Sequence, residues 1–198
     1  MFKYAKEQKS KLGKIINFSF LPVLTCVQDC KYCYAKKIVR IYKNSFKRFN
    51  ENSIHILKTG NFPDLPKSKN KLVRFLVSGD FALKGNSTIG IYAFIDLVHR
   101  YPDYKFFGFT KTWTKKEFLK PLNVLNSYKN VNLFLSIDSQ TGFNYPKNFN
   151  LAITSLEDIN RFKGKRFFTC NHSKNKINCD TCLVCIPKRN NFNLLLPI

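Results

Sequence analysis

The strongest constraint on the fold is a rhythm: short apolar runs alternate with amphipathic patterns along most of the chain. Runs at Ile15–Leu24, Leu72–Val77, Lys105–Thr110, Val131–Ile137, Phe149–Thr154 and Arg166–Thr169 read as strands bounded by turn residues. A helix is predicted over Ala35–Phe49, another over Thr88–Arg100 with Ile91, Phe94, Ile95 and Val98 as its stripe, and a short one over Ser155–Phe162. Thr114 and Glu117 have capping-box spacing before a helix that Pro121 is expected to interrupt. Residues 59–71 read as a loop.

This alternation predicts parallel βαβ units. Crossovers of one hand would bring the C-terminal strand ends to one face, where α/β folds gather their ligand-binding residues. Six strands are too few for a closed eight-stranded barrel. The predicted fold class is therefore α/β, an open partial (β/α)6-type barrel of parallel strands. Residues 1–169 form that barrel, and residues 170–198 form a cysteine-rich extension packed on it. The apolar end of the chain, from Phe192 to Ile198, belongs to the extension.

The chain has 198 residues, 44% of them hydrophobic, with 20 Phe, so it can bury a core and is not a disordered chain. No run approaches the ~18 apolar residues of a membrane span, and the basic start lacks the apolar segment of a secretory signal. The expected location is the cytoplasm, the host's if the gene is viral. In that reducing compartment clustered cysteines read as metal ligands rather than disulfides. Lys and Arg number 34 against 12 Asp and Glu, so the surface attracts polyanions.

The seven cysteines split as three plus four. Cys26, Cys30 and Cys33 stand at spacings of four and three on the loop after the first strand. Three thiolates on one loop can hold three corners of an iron–sulfur cube and leave the fourth iron without a protein ligand. The other reading is a zinc site completed by a residue such as His55 or His99. Cys170, Cys179, Cys182 and Cys185 form a second set, which can close a cube completely or hold one zinc. Its consecutive Cys-x2-Cys-x2-Cys run favours a second [4Fe–4S] cluster, with structural zinc as the alternative.

The run Cys26-Val27-Gln28-Asp29-Cys30-Lys31-Tyr32-Cys33, with an aromatic before its last cysteine, resembles the signature of the radical S-adenosylmethionine enzymes. Cys33-Tyr34-Ala35, Ser78-Gly79-Asp80-Phe81 and the cysteine-rich tail are also similar to small phage-encoded proteins of this type. The first resemblance implies the partial barrel, a [4Fe–4S] cluster with an open iron, and S-adenosylmethionine bound to it. It implies reductive cleavage of the sulfonium to a 5′-deoxyadenosyl radical that takes hydrogen from a substrate. It places Tyr32 near the adenine, and Ser78, Gly79 and Asp80 at the turn that receives the cofactor's ammonium. It places Ser136 and Asp138 at the ribose hydroxyls. The implied partners are a reductant protein such as flavodoxin or ferredoxin, and an RNA or peptide substrate. Lys111, just beyond the third strand, is a candidate to face the cofactor's carboxylate, but reads first as one of many solvated lysines. The competing reading is a zinc-stabilised nucleic-acid-binding protein without catalysis, its basic residues tracking phosphates and its aromatics stacking on bases.

Overall fold

The computed structural model describes residues 1–5, 13–31, 33–83, 87–162, 164–170, 172, 175–186 and 192–196. Seven parallel strands form one open sheet in the order β1-β2-β3-β4-β5-β7-β6. They are β1 (Ile16–Asn17), β2 (Leu72–Phe75), β3 (Lys105–Thr110), β4 (Val131–Ile137), β5 (Asn150–Ile153), β6 (Phe167–Thr169) and β7 (Asn193–Leu195). The helices are α1 (Pro22–Thr25), α2 (Tyr34–Ile41), α3 (Lys43–Thr59), α4 (Ile89–Arg100), α5 (Lys116–Ser127) and α6 (Cys179–Cys182), with 3-10 turns at Thr112–Thr114 and Glu157–Arg161.

Alternation along the strands sorts the sheet into two faces. Ile16, Val73, Phe75, Phe106, Leu133, Leu135, Leu151, Ile153 and Leu195 pack into the main core with Ile56, Ile91, Phe94, Phe118 and Leu122 of α3, α4 and α5. Their strand neighbours turn the other way. Ile15, Leu72 and Phe107 meet Ile186, Leu183, Cys179 and Cys185. Phe134, Ala152 and Leu194 meet Phe192 and Val184. Helices α3, α4 and α5 thus cover one face, and the cysteine-rich segment covers the other.

Strand order explains that placement. From β1 to β5 the chain steps across the sheet in one direction, whereas β6 to β7 steps back by one position. A reversed step keeps the same crossover hand only by passing over the opposite face. The segment after Cys170 makes that step. The extension expected at 170–198 is therefore no appendage: β7 lies inside the sheet, paired with β5 and with β6.

Several local expectations are corrected. The first strand is only Ile16–Asn17, and Pro22 instead opens a one-turn helix at the position where its missing N–H is harmless. Phe18 and Phe20 continue beside the exit of β2, where the Phe20 N–H donates to the Ser78 carbonyl at 2.8 Å. The helix predicted over Ala35–Phe49 is two helices parted at an extended Tyr42, and the second runs on to Gly60 in the left-handed region. Asn52 and Ser53 hide that continuation in the sequence. Both are buried, Asn52 donating to the Lys3 and Ser19 carbonyls and Ser53 accepting from the Leu21 N–H. Pro121 lies within α5 without interrupting it. No side-chain cap forms at Thr114, whose hydroxyl donates to the Lys111 carbonyl. Among the described residues no helix is long and apolar enough to cross a membrane.

Candidate functional site at the C-terminal ends of the strands

The candidate cofactor-binding residues outside the cysteine loop, with Lys111 and Cys170, lie at strand exits. Ser78, Gly79 and Asp80 follow β2, Lys111 follows β3, Ser136 lies in the last two residues of β4 and Asp138 follows it, and Cys170 follows β6. Because the strands are parallel, these exits share one end of the sheet. The loop carrying Cys26, Cys30 and Cys33 leaves α1 at the same end and is tied down there. Thr25 donates to the Leu21 carbonyl, accepts from the Asp80 N–H at 3.0 Å, and its own carbonyl accepts from the Ala82 N–H. Gln28 of the loop donates to the Thr114 hydroxyl at 3.2 Å, so the loop takes up the side chain expected to cap α5.

Gly79 has φ +78, and a Cβ there would come within 2.6 Å of both the Phe20 carbonyl oxygen and Thr25 Oγ1. Only glycine gives this conformation and this approach together. Asp80 is buried and already well supplied with donors. Oδ1 accepts from the Phe81 N–H and the Thr110 hydroxyl, and Oδ2 accepts from the Lys111 N–H at 2.7 Å. Burial pushes this carboxyl up to about 6, and the hydrogen bonds from Thr110, Lys111 and Phe81 hold back the rise. Asp80 therefore braces the exits of β2 and β3 to each other. Ser78 Oγ is buried without a hydrogen-bond partner among the described residues.

Lys111, ranked in the sequence as a solvated lysine before a cofactor contact, is drawn into the site. Its ammonium donates to Asp138 Oδ2 and lies 3.3 Å from Cys30 Sγ. Burial works against its charge, but the bond to Asp138 and the Cys30 thiol outweigh it and hold the ammonium above its ordinary range. Burial likewise opposes the Asp138 charge, and Lys111 with the Thr141 and Gln140 N–H groups overrides it, so this carboxyl is held low. Ser136 precedes Ile137, which packs in the helix-side core, so Ser136 takes the opposite face, and its carbonyl accepts from Trp113 Nε1 at 3.1 Å. The one available signal for Lys111 was its position immediately after a strand.

A prediction follows from the Lys111–Asp138 pair. Lys111→Gln is expected to lower stability by about 1 kcal/mol, since the pair is only partly shielded from water. Asp138 is depressed, so its share is present above the ordinary carboxylate value of about 3.9 and is lost as pH falls below it. Lys111 is raised, so its share persists until pH climbs through its folded value. Urea unfolding should give a difference between wild type and variant that is flat from about pH 5 to 9 and shrinks toward pH 3.

The thiols of both sets are partly buried. Burial raises the Cys26 thiol well above its usual range, and Asp80, Cys33 and Cys30 raise it further. Cys30 has Lys111 beside it. Among the described residues no group of three or more His, Cys, Asp or Glu is arranged so that it could hold a metal ion as it stands. The second set lines a single cavity: Cys170, Cys179, Cys182 and Cys185 surround it with His172, over a floor of Phe107 and Leu194. Burial pushes the Cys185 thiol up to about 12, against the pull of Arg74, and the other three thiols add to the rise. This set is pinned to the start of the chain, where the Lys14 N–H donates to Asp180 of α6 at 2.9 Å. It is pinned to β4 by Asn132, which donates to the Cys185 carbonyl. His55, considered as a zinc ligand, stands edge-on to the Phe2 ring. Tyr32 lies outside the described residues.

The fold and site define an α/β protein with two cysteine sets, one on a strand-exit loop and one, including the one-turn α6, on the opposite face of the sheet, helix-free in the sense that none of α3, α4 and α5 covers it. A family model described as Gene product 88 matches residues 3–187, and the chain belongs to that family. Searches of curated proteins and of solved structures return no match.

Proposed function

We propose that the chain is a small radical S-adenosylmethionine enzyme, its sheet curved into an open partial barrel whose concave side is the helix-free face. The observation that carries this reading is the convergence of the Cys26–Cys33 loop with Gly79, Lys111 and Asp138 at the C-terminal ends of adjacent parallel strands. The donor chemistry fits an iron–sulfur centre. Three neighbouring thiols, one buried beside a carboxyl, favour a polycationic centre over charge carried by the thiolates alone. Cys26, Cys30 and Cys33 would hold a [4Fe–4S] cluster whose open iron binds S-adenosylmethionine, and the centre would supply one-electron reductive cleavage of the sulfonium followed by hydrogen abstraction from substrate.

The chain's own residues do the rest. Gly79 leaves the backbone of its turn bare of any side chain. Lys111 donates toward Cys30 and holds Asp138 ionised beside the loop. Ser136 and Asp138 offer hydroxyl and carboxylate acceptors for a ribose. Asp80 positions Thr110 and Lys111. Cys170, Cys179, Cys182 and Cys185 would hold the second [4Fe–4S] cluster. A reductant protein of the flavodoxin or ferredoxin kind supplies the electron in the cytoplasm. The substrate is RNA or a peptide, suited to a surface whose residues 34–50 carry six cations and no acid.

The test is metal and product analysis of protein prepared without oxygen. The expected result is about eight irons per chain, two cubes, and release of 5′-deoxyadenosine with reductant and S-adenosylmethionine. Tightly held zinc, no iron, no cleavage and salt-dependent RNA affinity would instead establish the binding-protein reading.

A further inference from the structure

Arg74 lies on β2 two residues from Leu72, which faces the cysteine-rich segment, and between Val73 and Phe75, which face the helices. It therefore projects from the helix-free face. Its guanidinium carbon sits 5.0 Å over the Phe109 ring, and Phe109 is stacked on Phe134 with centroids 5.3 Å apart. Arg74 Nε is shut off from water and has no hydrogen-bond partner among the described residues. Among the described residues no carboxylate pairs with it, although Arg100, on the outer surface, takes both Asp64 and Asp96. The Ser78 hydroxyl, four residues further along the same strand exit, is likewise buried and unpartnered.

Withdrawing part of a guanidinium from water without a counter-charge carries a cost. The aromatic shelf beneath it offsets only part of that cost. The position is also distinctive. Phe109, the ring beneath Arg74, packs against the same cluster as Cys185 of the second set, and the hydroxyl of Tyr34, the residue after Cys33 of the first, donates to the Val77 carbonyl three residues on from Arg74. We propose that Arg74 anchors an anion-binding subsite on the helix-free face between the two cysteine sets, and that it takes an oxyanion, phosphate or carboxylate, of the molecule on which the site acts. The identity of that molecule as substrate rests on the function proposed above; the existence of the anion site does not. Arg74 as a whole is only half-buried, and its two terminal N–H groups present the planar fork that an oxyanion fills with two parallel bonds. Phe109 holds the plane of that fork.

The test is calorimetric titration of the iron-reconstituted full chain with inorganic pyrophosphate and, separately, with malonate. Salt is held near 0.3 M to screen the diffuse attraction of a +22 chain. Arg74→Gln is expected to weaken binding of the preferred anion at least tenfold, and Arg74→Lys to weaken it less, because a point charge replaces the fork. Lys129→Gln, in the exposed turn before β4, should titrate like wild type. The tighter of the two probes names the oxyanion. Unchanged titration in Arg74→Gln overturns the proposal. So does a variant that loses iron or S-adenosylmethionine affinity in place of anion affinity, since Arg74 would then serve the metal centre or the cofactor. Failure of the radical reading would show separately, as absence of 5′-deoxyadenosine from wild type with the anion titration intact.

Discussion

Cys30→Ala is expected to abolish release of 5′-deoxyadenosine while about half of the bound iron remains. Loss of a partner that merely supports a metal ligand typically costs 10–100-fold, and loss of one of only three protein ligands should exceed that. The residual iron, about four of about eight per chain, would belong to the second set, whose cavity has its own four thiols. Cys182→Ala is the reciprocal variant: it should lose the other half of the iron and keep measurable cleavage. Circular dichroism of both variants separates loss of a centre from loss of the fold. Cleavage that survives in Cys30→Ala would end the assignment of the first set, whatever the second set holds. The same variant frees Lys111 from its contact with the Cys30 sulfur while leaving the bond to Asp138, so the two roles of that lysine can be measured apart.

The strands of the middle of the chain were legible because each is a short apolar run bounded by turn residues. Lys105–Thr110 and Val131–Ile137 match the expected bounds residue for residue. The two ends of the sheet were not. At the start, Ile15–Leu24 is continuously apolar, and only Pro22 marks the change from strand to helical turn. At the finish, Asn193, Leu194 and Leu195 are all buried, so β7 shows no alternation, and the segment before it carries no helical stripe to announce a crossover. Strand order is a long-range property, and the one reversal in the sheet moves the second cysteine set from a tail to the helix-free face. The cysteine spacings and the strand-exit residues were readable as separate motifs. Lys111 was not, because among so many lysines only its contacts with Cys30 and Asp138 set it apart.

Gly79→Ala is expected to destabilise the fold by about 3 kcal/mol or more. A residue other than glycine at φ +78 bears a conformational cost of roughly 1–2 kcal/mol. The methyl would also arrive 2.6 Å from the Phe20 carbonyl oxygen and from Thr25 Oγ1, and neither is the free end of a flexible side chain. Relief means parting the β2 exit from α1, which overpacking data put at a further 1–3 kcal/mol. For a chain of this size the sum lowers the unfolding midpoint by roughly 6–12 °C. Gly142→Ala is the control: its φ is +73 and nothing lies within 4 Å of the added carbon, so it carries the backbone cost alone. Equal shifts for the two variants would mean that the turn does not rest on the Phe20–Thr25 segment. A larger shift at Gly79 should come with loss of iron from the first set only, because Thr25 immediately precedes Cys26 and its hydroxyl accepts the Asp80 N–H bond. The packing of one turn and the integrity of the cysteine loop are then a single property, which differential iron retention reads directly.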